Sequence, residues 1–129
     1  MAPISVTLAR RDPPAAVVAL VGEHDYYSSQ RLENELTLLL DDRLRIVVDL
    51  RDATFIDSTT LGVLLAGRQR AERAGLGFAL VLPEDERAQV QHILDLTRLG
   101  RMFASSTSLD DALSAARSGQ TTGRPSKAA

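Results

Sequence analysis

Four consecutive short polar side chains, Asp57-Ser58-Thr59-Thr60, follow directly on an apolar pair, Phe55 and Ile56. A carboxylate beside three hydroxyls can act in several ways. A serine becomes a nucleophile when a base lies within hydrogen-bond reach. Free N–H groups at a helix start bind anions with help from the positive dipole end. Asp, Ser and Thr are also the residues that cap such a start and satisfy those N–H groups themselves. The two histidines, His24 and His92, sit on other segments, and no Gly-x-Ser-x-Gly elbow is present. That speaks against a hydrolase. The glycine-rich loops that wrap a nucleotide phosphate, Gly-x-x-x-x-Gly-Lys-Ser and Gly-x-Gly-x-x-Gly, are missing too. From the residues alone, helix capping is the simplest role for the tetrad.

The flanking segments say what must position it. Ile46–Leu50 is a run of branched aliphatics, which predicts a strand buried on both faces. Ser58 to about Ala74 predicts a helix, with Leu61, Leu64 and Leu65 toward the core and Gly75 as its stop. Arg68, Arg70, Glu72 and Arg73 are expected on its solvent side, and Gly62 and Gly67 at close-packed positions. Upstream, Ile4, Val6 and Leu8 alternate with smaller or polar residues, a half-buried strand. Arg10-Arg11-Asp12-Pro13-Pro14 predicts a turn, and Ala16–Val21 a second strand ended by Gly22-Glu23-His24-Asp25. Ser28 is expected to cap a first helix whose stripe is Leu32, Leu36, Leu39 and Leu40, closed by Asp41-Asp42-Arg43.

Downstream, Gly77–Leu82 reads as a buried strand stopped by Pro83. Glu84, Asp85 and Glu86 then suit the first turn of a third helix, which buries Val90, Ile93 and Leu94 and stops at Gly100. Met102–Ala104 suggests a short strand. Ser108 and Asp111 have capping-box spacing before a last helix carrying Leu109, Ala112, Leu113 and Ala116. From Ser118 the composition is that of a disordered tail. Helices alternating with strands after an opening hairpin predict an α/β domain with a mixed sheet. A chain of 129 residues holds one such domain, here residues 1–117, with 118–129 as the tail.

Composition excludes several classes. Basic residues are dispersed and the only lysine is Lys127, so no nucleic-acid footprint is present. With no cysteine and two separated histidines, neither a disulfide nor a metal site is expected, and no cofactor motif occurs. No apolar run approaches the roughly 20 residues that span a bilayer. No signal peptide is read, which predicts a cytoplasmic protein without membrane insertion.

Three separated blocks carry a family resemblance. Phe55-Ile56-Asp57-Ser58-Thr59, continued by Leu61-Gly62-Val63-Leu64-Leu65, resembles the signature of bacterial anti-sigma factor antagonists, which are single STAS domains. Leu20-Val21-Gly22-Glu23-His24-Asp25 is similar to the family's strand end, and Leu96-Thr97-Arg98-Leu99 with Ser108–Leu113 extend the likeness over roughly residues 4–117.

The resemblance implies a STAS fold of a small mixed sheet with about four helices. It implies a non-enzymatic regulator of transcription that acts by partner switching, as in stress responses. Its partners would be an anti-sigma factor with serine kinase activity and a serine phosphatase. Ser58 would be the phosphoacceptor, and Asp25, Asp57, Ser58, Thr59, Thr60 and Gly62 would lie at the partner contact. Asp25 and Asp57 divide between capping and shaping the kinase contact, and Thr59 is expected to be structural. Thr60 stands where the family usually has glycine, which would place bulk and another hydroxyl at the rim. His24 replaces an aliphatic residue. The alternative is a STAS module that is not phosphorylated, such as an accessory subunit of a transport complex or a signalling scaffold. The sequence does not specify an oligomeric state.

Overall fold

Two strands open the chain, β1 (Ile4–Ala9) and β2 (Ala15–Leu20), antiparallel with Ile4 opposite Leu20. Gly22 then takes φ +80, a conformation that costs glycine little, and the chain leaves the sheet there. It continues as β3 (Gly22–His24), α1 (Tyr26–Asp41), β4 (Arg45–Asp49), β5 (Ala53–Ile56) and α2 (Ser58–Arg73). β6 (Phe78–Val81), α3 (Gln89–Thr97), a 3₁₀ turn at Leu99–Met102, β7 (Ala104–Ser106) and α4 (Leu109–Arg117) complete it. This is the computed structural model of the chain, and it describes residues 3–9 and 12–123. The main sheet has the order β1-β2-β4-β6-β7, parallel except for its first pair, while β3 and β5 form a separate parallel pair. The expected α/β domain with a mixed sheet and four helices is the one observed.

Strand side chains alternate between faces, so each central strand supplies two cores. Ile46, Val48, Phe78 and Leu80 pack under α1, α2 and α3, where Leu32, Leu36, Leu39, Leu40, Leu61, Leu64, Val90 and Leu94 are buried. Val47, Ala79, Val81 and Ala104 face α4 through Ala112, Ala115 and Ala116. These small residues let α4 lie close to the sheet. A Cβ at Gly77 would run into the carbonyl of Ala116.

Several local expectations are corrected. Val6 and Leu8 are exposed because β1 is the outer strand, whereas the helices lie over the inner ones. Arg10 and Arg11 of the expected turn lie outside the described residues. β5 forms at Ala53–Ile56, where no strand is predicted. α3 starts at Gln89, so Glu84, Asp85 and Glu86 lie in the preceding loop, where Asp85 accepts from the Arg87 N–H at 2.9 Å. It ends at Arg98, with φ +59, rather than at Gly100. The last strand is β7, two residues later than read. At Ser108 only half of the capping box forms: its hydroxyl accepts from Asp111 N–H, but its own N–H donates to Ser106 Oγ.

The boundary at residue 118 also moves. Gln120 and Thr121 carbonyls accept the N–H groups of Phe78 and Ala104, at 3.0 and 2.9 Å, and Gly123 bridges Ala104. Residues 118–123 therefore belong to the packed domain, and 124–129 lie outside the described residues. Arg68, expected on the solvent side, is buried and donates from Nε to Thr121 O at 3.2 Å. It shares the stripe of Leu61, Leu64 and Ala71 at helical spacing. Arg70 is half-buried and donates to Thr37 Oγ1 at 2.8 Å, while Glu72 and Arg73 are exposed. Gly67 does pack, against Leu36 and Phe78, but Gly62 faces open space.

Gly77→Ala should lower unfolding free energy by about 3 kcal/mol, the upper range for overpacking. Gly62→Ala should raise it by up to about 1 kcal/mol, the helix-propensity difference. Urea titration of both variants measures the contrast. Equal effects would contradict the packing described.

Candidate functional site

β3 and β5 run parallel with His24 opposite Ile56. The next residue after each strand is an aspartate, and each aspartate starts a helix. Asp25 caps α1, its carboxylate accepting from Tyr27 N–H at 3.0 Å. Asp57 caps α2, its carboxylate accepting from Thr60 N–H at 2.8 Å. Parallel pairing thus sets two helix starts side by side, both with the positive dipole end toward the same end of the molecule. Ser28, expected to be the first cap, is instead the third residue of α1. Its hydroxyl completes a capping box by accepting from Asp25 N–H at 3.1 Å.

The hydroxyls of the tetrad divide sharply. Ser58 and Thr59 are exposed, and neither side chain has a hydrogen-bond partner among the described residues. Thr60 is fully buried, and its Oγ1 donates either to His24 O at 3.2 Å or to Asp57 Oδ1 at 2.9 Å, which share its one proton. Thr60 therefore adds nothing to the rim, against the sequence expectation, because its side chain turns inward to tie α2 to β3. Gly62 lies one turn beyond Ser58 on the exposed side. With Thr59, Val63 and Ala66 it lines a groove of about 420 Å³ between α2 and α1, where Glu33 and Leu36 contribute. A larger groove of about 650 Å³ lies by α3 and β7 and includes none of the tetrad.

His24 is also fully buried. Its Nε2 lies 3.1 Å from the Val21 carbonyl, which can only accept, so Nε2 carries the proton. Nδ1 is 3.2 Å from Ser28 Oγ. Burial is the main reason that its pKa is lowered from 6.5, against opposing contributions from the Val21 hydrogen bond and the Asp25 charge. The neutral ring is therefore a structural member of the site, joining β3 to the α1 cap. It is also too far committed to serve Ser58 as a base.

The outer edge of β5 is closed by a side chain. Gln89, the first residue of α3, accepts the Ile56 N–H on Oε1 at 2.8 Å and donates from Nε2 to Ile56 O at 2.9 Å. No periodic or motif signal marked this residue in the sequence. Around the site, Tyr26 is 69% exposed, Tyr27 81% and Phe55 40%. The two tyrosines meet edge to face with centroids 5.8 Å apart. Among the described residues no group of three or more His, Asp or Glu is placed to hold a metal, and no helix is long and apolar enough to cross a membrane.

The STAS domain family model matches residues 7–112. A STAS-domain containing protein of Pseudomonas aeruginosa (strain UCBPP-PA14) is 31% identical over 98 residues, 74% of this chain and 92% of that protein. An anti-sigma factor antagonist from Mycobacterium paratuberculosis has a similar structure, with TM-score 0.71 and 26% identity over 89% of this chain and 95% of that one. The unphosphorylated anti-sigma factor antagonist SpoIIAA shares the fold at TM-score 0.57 and 17% identity, covering 74% of this chain and 98% of its own.

Thr60→Val keeps the shape and removes the hydroxyl, which should cost about 1–2 kcal/mol of stability. A denaturation midpoint equal to wild type would show that the hydroxyl contributes nothing. The buried His24 makes a second expectation. Its pKa is lower folded than unfolded, so its stabilisation is complete above the unfolded value of 6.5 and is lost as pH falls toward the folded value. Thermal melts between about pH 7.5 and 5.5, bracketing the ordinary histidine range, should show stability falling for wild type and a flatter profile for His24→Gln.

Proposed function

The chain belongs to the STAS domain family, and on that premise we propose that it is an anti-sigma factor antagonist switched by phosphorylation of Ser58. In this reading the unmodified protein binds an anti-sigma factor that is also a serine kinase and so releases the sigma factor. The phosphorylated form does not bind, and a serine phosphatase resets it. The observation that carries the reading is the state of Ser58: an exposed hydroxyl without a partner among the described residues, on the first residue of α2. Two of its three tetrad neighbours are occupied. The Asp57 carboxylate is used by Thr60 N–H, and Thr60 itself is buried.

The physics of a switch is favourable here. A phosphate adds about −1.5 to −2 charges at neutral pH. At the start of α2, with α1 beginning alongside, it meets two positive helix ends, so the fold tolerates it. A partner pressed over Ser58 would have to desolvate that charge. Leaving a buried charge without compensation costs about 3–5 kcal/mol, which is a loss of about two to three and a half decades of affinity at about 1.4 kcal/mol each.

The exposed aromatics supply an anchor for such a partner. Tyr26 and Tyr27 follow the Asp25 cap and Phe55 precedes Asp57 by two residues, so all three stand on the segments that frame Ser58. Tyrosine is enriched among the residues that dominate binding energy. Thr60, which stands where the family usually has glycine, lies beneath the surface that a kinase would meet.

Incubation with ATP and the serine-kinase anti-sigma factors of the same organism should add one phosphate by intact mass to wild type and none to Ser58→Ala. Ser58→Asp should bind the anti-sigma factor about a hundredfold more weakly than wild type, and Tyr27→Ala about thirtyfold, as for a hot-spot residue. Wild-type affinity in Ser58→Asp would sink the switch and leave a constitutive STAS module.

A further inference from the structure

Three hydroxyls stand in a row at the start of α2, and burial removes only Thr60. Ser58 and Thr59 are both exposed and both without a partner among the described residues. Exposure therefore does not choose between them. Direction does: successive residues of a helix point about 100° apart. Which hydroxyl faces a docked kinase is thus set by the orientation of the peptide that feeds the helix, Ile56–Asp57.

That junction is held on two sides. On the inner side Asp57 N–H donates to His24 O at 3.2 Å. On the outer side the Gln89 amide takes both backbone groups of Ile56, at 2.8 and 2.9 Å. A side chain 33 residues away in sequence thereby makes the two bonds that a neighbouring strand would make. Ile56 is fully buried, so water does not replace them.

We infer that Gln89 is a positioning residue that presents Ser58 rather than Thr59 to the kinase. This rests on the reading of Ser58 as the phosphoacceptor. With the clamp in place, the last peptide of β5 has one orientation and α2 starts in one rotational setting. Without it, β5 keeps its pairing with β3 and the core contacts of Ala53 and Ile56 but loses the bonds on its outer side, so the first turn of α2 loosens and Thr59 reaches the kinase as well as Ser58.

Gln89→Met keeps the length and apolar contacts of the side chain and removes both bonds. Gln89→Glu keeps the acceptor for Ile56 N–H and, when ionised, loses the donor, so it serves if the Met variant does not fold. Each is compared with wild type using ATP and the anti-sigma serine kinase that modifies wild type, with the phosphate located by tandem mass spectrometry. Wild type should carry phosphate on Ser58 alone. The variants should divide it between Ser58 and Thr59, with the rate at saturating protein down about tenfold, within the range for a misplaced reacting group, and the half-saturating concentration unchanged. Exchange of the Ile56 amide should quicken by about tenfold while Val48 and Leu80 in the main sheet keep their protection. Loss of stability alone would not move the phosphate from one hydroxyl to the next. Variants modified on Ser58 only, at the wild-type rate, overturn the inference and leave the acceptor reading standing. A wild type that accepts no phosphate overturns both.

Discussion

One carbonyl oxygen carries the junction on which the site depends. The His24 carbonyl accepts the Asp57 N–H and lies 3.2 Å from the Thr60 hydroxyl, so the end of β3 is bonded to the start of α2. The His24 ring reaches the other way, to Val21 O and Ser28 Oγ, and Ser28 belongs to the cap of α1. In this buried residue the carbonyl and both ring nitrogens have no water to fall back on, and each finds a protein partner. Two strands and two helix starts are held in one geometry by bonds around a single residue.

This junction explains how a surface hydroxyl can be kept available beside three side chains of similar chemistry. Asp57 has its carboxylate committed to the first turn of α2, and Thr60 is folded beneath it. Asp25 does the same work for α1. The capping role read from residue types and the acceptor role suggested by the family resemblance are therefore compatible. They fall on different members of one tetrad, and capping by Asp57 is what leaves Ser58 without a partner.

The two ends of the sheet are built differently. Ser58 lies where the parallel strands finish and where Tyr26, Tyr27 and Phe55 stand in solvent. At the other end, where β6 and β7 begin, residues 118–123 cross the strand starts and Arg68 reaches from α2 to hold Thr121. A buried guanidinium needs acceptors, and a carbonyl of this segment provides one. In the proposed reading, docking surface and structural closure are thus separated by the length of the sheet, so a charge change at Ser58 would act on a partner without disturbing the core.

Much of this was legible in the sequence because it depends on short-range rules. Apolar stripes located α1 and α2, aliphatic runs located β4 and β6, and residue types marked Asp57 and Ser58 at a helix start. What stayed hidden depends on pairing between distant segments. A three-residue strand such as β3 and a four-residue strand such as β5 carry too few residues for a period, and they exist because each is the other's partner. The inward turn of Thr60, the burial of His24 and Arg68 and the amide clamp of Gln89 all follow from which backbone groups tertiary packing leaves unpaired. Sequence alone determined the presence of the helices, most strands of the main sheet and the chemistry available at their ends. Tertiary structure decided which of those groups are spent on the fold and which face solvent, because a hydrogen bond between residues far apart in the chain leaves no local pattern to read.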